Sequence, residues 1–135
     1  MDLHVFIVDN DKNAAHSLQE AVRRHWAAVS VACIAPSQLM DALAHAAEAY
    51  VFVRADIPGV DFRGLTEKAH RFLSSVQVIW TGGDDMACAV EGVNAGADGY
   101  LVLPGTPERL DQIRACVAAR SALERQAEDA CAPGR

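Results

Sequence analysis

Tyr50-Val51-Phe52-Val53-Arg54-Ala55-Asp56-Ile57-Pro58-Gly59 reads as a buried strand that meets a charge and then turns. The run YVFV is wholly apolar and rich in β-branched and aromatic side chains, as a strand covered on both faces must be. Pro58-Gly59 turns the chain after it. Arg54 is the first polar residue at the carboxyl end of that strand. In an open parallel α/β sheet, chemistry gathers in the crevice outside the carboxyl ends of the strands. Function should therefore depend on what Arg54 meets there.

The same pattern recurs on both sides of this stretch. Leu3 to Val8 is LHVFIV, Val29 to Ile34 is VSVACI, Val76 to Trp80 is VQVIW, and Gly99 to Leu103 is GYLVL. Helical spacing fills the gaps. Ala14, Ala15, Leu18, Ala21, Val22 and Trp26 share one face, with Asp11 or Asn13 as N-cap. Pro36-Ser37 opens a helix carrying Leu39, Met40, Leu43 and Ala47. A third helix covers Leu65 to Leu73, and Asp84-Asp85 caps a fourth from Met86 to Ala95. Gly96 suits the left-handed position after its end. A last helix starts at Pro107 or Glu108. Five alternating strand–helix units predict a doubly wound five-stranded parallel sheet with five helices and right-handed crossovers.

The last helix is longer than its core face. Leu110, Ile113 and Val117 supply packing for about three turns, yet good helix formers continue to residue 130. We divide the chain into a domain over 1–120 and a helical extension over 121–135. The extension reads either as a frayed polar tail or as a dimerising or connecting helix.

Composition excludes several classes of function. At 135 residues the chain is one domain by size. A net charge of −6 argues against direct nucleic-acid binding, which needs a basic stripe. No apolar run approaches the ~18 residues of a membrane span. The N-terminus MDLHVFIVDN lacks the basic region of a signal peptide, so a cytoplasmic location is expected. The four cysteines show no CxxC spacing and the five histidines no HExxH pattern. No metal or cofactor is expected.

A family resemblance enters at this point. The acidic cluster Asp9-Asn10-Asp11 follows the first strand, and Ile57-Pro58-Gly59 follows the third. Thr81 ends the fourth strand, and Ala95-Gly96-Ala97-Asp98-Gly99-Tyr100-Leu101 precedes Pro104. In this register, across residues 2 to about 120, the chain resembles the receiver domain of bacterial two-component response regulators. The resemblance implies a flavodoxin-like fold of strand order 2-1-3-4-5. It also implies a phosphoryl-accepting Asp four residues before the Pro of the third loop, two acids after the first strand that help hold Mg²⁺, and a Lys before the Pro of the fifth. A Thr or Ser binds a phosphoryl oxygen, and an aromatic on the fifth strand acts as a switch. This sequence keeps Asp9, Thr81 and the aromatic, Tyr100. It departs at Asn10, which is flanked by Asp11. The acceptor position holds Arg54, and the Lys position holds Leu103.

Arginine cannot accept a phosphoryl group, because its guanidinium stays protonated and offers no lone pair. Three acids and one lysine would leave a double negative charge for a divalent cation. Asp9 with Arg54 leaves none, and Asp11 adds one negative charge only if it points inward. Leu103 removes the cation that would crowd Arg54. The expectation is that Arg54 reaches toward Asp9, with Asp11, Asn10 or Thr81 as further partners.

Three functions compete. The leading one is a non-enzymatic, phosphorylation-independent pseudo-receiver. By resemblance its partner surface is the face of the fourth helix, fifth strand and fifth helix, near Ala87, Val90, Glu91, Tyr100, Arg109, Gln112 and Arg120, serving a homodimer or an output domain. The second is a ligand or anion sensor using the same pocket, with Arg54, Thr81 and the Gly82-Gly83 amides as donors. The third, a flavin or nucleotide enzyme, needs a phosphate loop where Asp9-Asn10-Asp11 stands.

Overall fold

A computed structural model describes residues 3–26 and 29–131. Five strands alternate with helices: β1 Leu3–Val8, α1 Lys12–His25, β2 Val29–Cys33, α2 Leu39–Leu43, β3 Ala49–Arg54, α3 Phe62–Phe72, β4 Val76–Gly82, α4 Met86–Asn94, β5 Gly99–Val102 and α5 Pro107–Cys131. A short 3-10 turn, Pro36–Gln38, leads into α2. All neighbouring strands are parallel, in the order β2-β1-β3-β4-β5. This is the doubly wound sheet that the strand spacing predicts.

Strand periodicity divides the core in two, because successive side chains point to opposite faces. Val5, Ile7, Phe52 and Ile79 pack with Leu18 and Val22 of α1, with Trp26 just after it, and with Leu110, Ile113 and Val117 of α5. Phe6, Val8, Val51, Val53, Val78 and Trp80 pack on the other face with Leu39, Leu43 and Ala69. Each such side chain contributes about 1.5–3 kcal/mol by leaving water. Trp80 is anchored further: its Nε1 donates to Thr66 Oγ1 at 3.1 Å, and Thr66 donates to the Phe62 carbonyl at 2.7 Å. Gly92 lets α4 approach this ring, since a Cβ there would stand 3.1 Å from Trp80 Cε3.

Several boundaries differ from the sequence reading. The second helix ends at Leu43, not near Ala47. His45 and Ala46 donate to the carbonyls three residues back, which tightens the chain so that it can enter β3 at Ala49. Helix propensity in the alanine-rich 42–47 stretch gives way to that tertiary demand. β4 runs on through Thr81 to Gly82, and β5 stops at Val102. α5, by contrast, continues past its core face to Cys131, about where the run of helix formers was expected to end. Gly96, at φ 92°, and Gly59, at φ 78°, hold left-handed positions that other residues adopt only with strain.

Candidate functional site

Register brings the site together. Val8 of β1 lies opposite Val53, and Arg54 lies opposite Thr81, so the carboxyl ends of β1, β3 and β4 form one rim. Asp9 follows β1 with its side chain 2 % exposed, and Arg54 ends β3 with its side chain 18 % exposed. Arg54 Nε stands 3.6 Å from Asp9 Oδ2 and 3.5 Å from Oδ1 of Asp56, whose side chain is 79 % exposed. Both distances are within ion-pair range and too long for a good hydrogen bond. Nε is buried and has no hydrogen-bond acceptor among the described residues.

The acidic loop divides its labour. Asp9 Oδ1 accepts the Asp11 N–H at 2.8 Å. Asp11 is the N-cap of α1, where its Oδ1 accepts from the N–H groups of Asn13 and Ala14 at 3.0 and 3.2 Å. Its carboxylate is therefore engaged by the helix, and Asn10 is exposed. Of the partners expected for Arg54, the structure brings Asp9 within ion-pair distance and adds Asp56. Thr81 is buried at the rim, and its carbonyl accepts the Ala55 N–H at 3.0 Å. The donor set does not suit Mg²⁺, which wants several hard oxygens. One Asp9 oxygen is committed to backbone and the other faces a guanidinium. Among the described residues no group of three or more His, Cys, Asp or Glu side chains could hold a metal ion.

Leu103 donates its N–H to the Gly82 carbonyl at 2.8 Å, and its peptide bond to Pro104 is cis. It joins Ala14, Ser17, Leu18, Arg54, Pro104 and Gly105 around a cavity of about 270 Å³ between α1 and the β5–α5 loop. Sequence reasoning missed the α1 side of this cavity, because Ala14, Ser17 and Leu18 read as ordinary positions on one helix face until the β5–α5 loop is placed beside them.

Tyr100 donates to the Gly83 carbonyl at 2.8 Å. Burial pushes its phenol up to about 12, helped by hydrogen bonding to Cys88 and by the charges of Cys88, Asp85 and Asp56. A Cβ at Gly82 would collide with this hydroxyl. Around Tyr100, Ala87, Val90, Glu91 and Gln112 are exposed. Arg109 instead ties the β5–α5 loop, donating to the carbonyls of Val102 and Pro104 at 3.3 and 2.9 Å. Arg120 lies 3.6 Å from Asp98 Oδ1 and donates to the Ala97 carbonyl at 3.4 Å. Asp98 Oδ2 meets His70 Nε2 at 2.7 Å and the Val78 N–H at 2.8 Å, a cluster invisible in sequence. On α4, Met86 is 78 %, Val93 66 % and Val90 51 % exposed. No helix among the described residues is long and apolar enough to cross a membrane.

No protein-family model and no curated protein matches the sequence. Solved structures do match. A chemotaxis response regulator, CheY4 of Vibrio cholerae, superposes with a TM-score of 0.66 at 17 % identity, covering 86 % of this chain and 99 % of that one. A two-component response regulator from Clostridium difficile gives 0.69 at 17 %, covering 86 % and 96 %. A structure described as an adenylate cyclase from Rhodopirellula baltica gives 0.70 at 16 %, covering 95 % and 96 %. At these identities the likeness is one of fold. The chain has the five-stranded, five-helix fold of response-regulator receiver domains.

Proposed function

We propose that this chain is a phosphorylation-independent pseudo-receiver, a regulatory interaction domain of a response regulator. The observation that carries the reading is Arg54, a guanidinium 3.6 Å from the buried Asp9 carboxylate at the carboxyl end of β3. By resemblance, a reactive carboxylate would stand there. A fixed cation at that place removes the nucleophile and weakens any claim on a divalent ion. Leu103 supports the same reading, because no lysine remains to meet a phosphoryl oxygen. The domain signals by what it contacts, and its resting conformation needs no phosphoryl group.

The partner surface is the face of α4, β5 and α5, closing on a second copy or an output domain. Met86, Val90 and Val93 support this, because three exposed apolar side chains on one short helix are an unusual load for a solvated face. The likeness to a protein described as an adenylate cyclase does not favour nucleotide chemistry here. The loop after β1 is acidic where a phosphate-binding loop would present backbone N–H groups.

Acetyl phosphate with Mg²⁺ tests the central reading. Intact mass and melting temperature should both stay unchanged. A stable gain of one phosphoryl group, at Asp9, Asp56 or elsewhere, would sink it.

A further inference from the structure

The cavity between α1 and the β5–α5 loop has no role in the pseudo-receiver reading. Its roughly 270 Å³ is the liquid volume of about nine waters at ~30 Å³ each. Ala14, Leu18, Leu103 and Pro104 give it apolar walls, Ser17 gives it one hydroxyl, and Arg54 is the charged residue of its lining. A guanidinium carries five N–H donors in a planar fork. Among the described residues none of Arg54's donors has a hydrogen-bond acceptor: its two ion-pair contacts both fall on Nε, at 3.5 and 3.6 Å. Nε is buried without an acceptor, and a buried donor left unpaired costs free energy that a bound acceptor would recover.

We infer that this cavity binds a small monocarboxylate. The carboxylate takes the Arg54 fork, and a short apolar tail lies against Leu18, Leu103 and Pro104. Planar carboxylate matches planar guanidinium in a bidentate pair. The charge must be single. Asp9 and Asp56 already outweigh Arg54 by one negative charge, so every added negative charge is opposed, and a phosphate dianion about twice as strongly as a monoanion. Asp56 is exposed and can turn to water when a monoanion arrives. The walls set the size and the tail, since a cavity just under the usual range for ligand sites takes a molecule of only a few carbons. A carboxylate on the fork shares the guanidinium with Asp9, so occupancy is felt at the ends of β1 and β3. This inference goes beyond the pseudo-receiver reading and fails separately from it, because the acetyl phosphate experiment does not depend on the cavity being filled.

The test is an NMR titration of the intact, isotope-labelled chain with sodium butyrate, with butyramide and inorganic phosphate as comparators at matched ionic strength. Butyrate should give saturable amide shifts centred on Ala14, Ser17, Leu18 and Leu103. Butyramide and phosphate should bind at least tenfold more weakly. Arg54→Met should weaken butyrate at least tenfold. Ala14→Leu fills the cavity from α1 and leaves Arg54 in place, so it should abolish the shifts even if Arg54→Met fails to fold. Butyrate shifts that do not saturate, that either comparator equals, or that survive Ala14→Leu overturn the assignment.

Discussion

Arg54 and Asp9 concentrate the electrostatics of the rim into one contact. Asp9 is nearly dry, while Arg54 keeps a wet edge and shares its charge with Asp56. Removing the cation leaves a buried carboxylate held by the Asp11 N–H but with no opposite charge. A dry pair broken from one side loses ~3–5 kcal/mol, and partial exposure here lowers the expectation for Arg54→Ala to about 2 kcal/mol. Urea denaturation should show that loss, and a cycle with Asp9→Asn should show coupling between the two positions. Loss of less than about 0.5 kcal/mol would make Arg54 an ordinary surface residue. Tyr100 sets a second expectation, this one in pH. Its phenol titrates higher folded than the ordinary value of 10.0, at about 12, because burial disfavours the phenolate. A raised pKa gives stability that is whole below the unfolded value and lost as pH rises through the folded one. Melting temperature should therefore fall between about pH 10 and 12, and Tyr100→Phe should flatten that fall relative to the parent. Tyr50, the other of the two tyrosines, is also raised by burial, so no phenol should ionise early in an absorbance titration.

At the scale of elements, α3 and β4 are joined by a polar link inside an apolar layer. Thr66 both accepts from Trp80 and donates to Phe62. Thr66→Val keeps the shape and strands the indole N–H, at a cost of about 1–3 kcal/mol. The indole emission should shift as the ring loses its anchor, and an unchanged stability would show that water replaces the hydroxyl. Capping follows local chemistry more simply. Asp11, Asp61 and Asp85 each sit at an N-cap with side-chain oxygens on the first free N–H groups. α2 obeys neither propensity nor spacing past Leu43, because the path into β3 decides where it must stop. α5 does the reverse. Val117 is the last buried residue among those described, yet propensity carries the helix to Cys131.

For the whole molecule, the exposed apolar residues of α4 bear on assembly. A homodimer through α4, β5 and α5 would be isologous, the same patch meeting itself from both subunits. Light scattering of Val90→Glu/Val93→Glu should then report half the parent mass with the melting temperature held, and a parent that is already monomeric would remove that role. The sequence alone determined the alternation of strand and helix, the parallel sheet and the arginine at the end of its third strand. Those are carried by runs of apolar residues and by single residue types, and both are local. Only the tertiary structure decided which of the expected partners comes within ion-pair distance of Arg54, that Asp56 joins Asp9 there, and that Leu18 and Leu103 border a cavity beside the guanidinium. Each of those depends on which strands become neighbours and in what register. A linear chain cannot specify such distances until its hydrophobic faces have closed on one another.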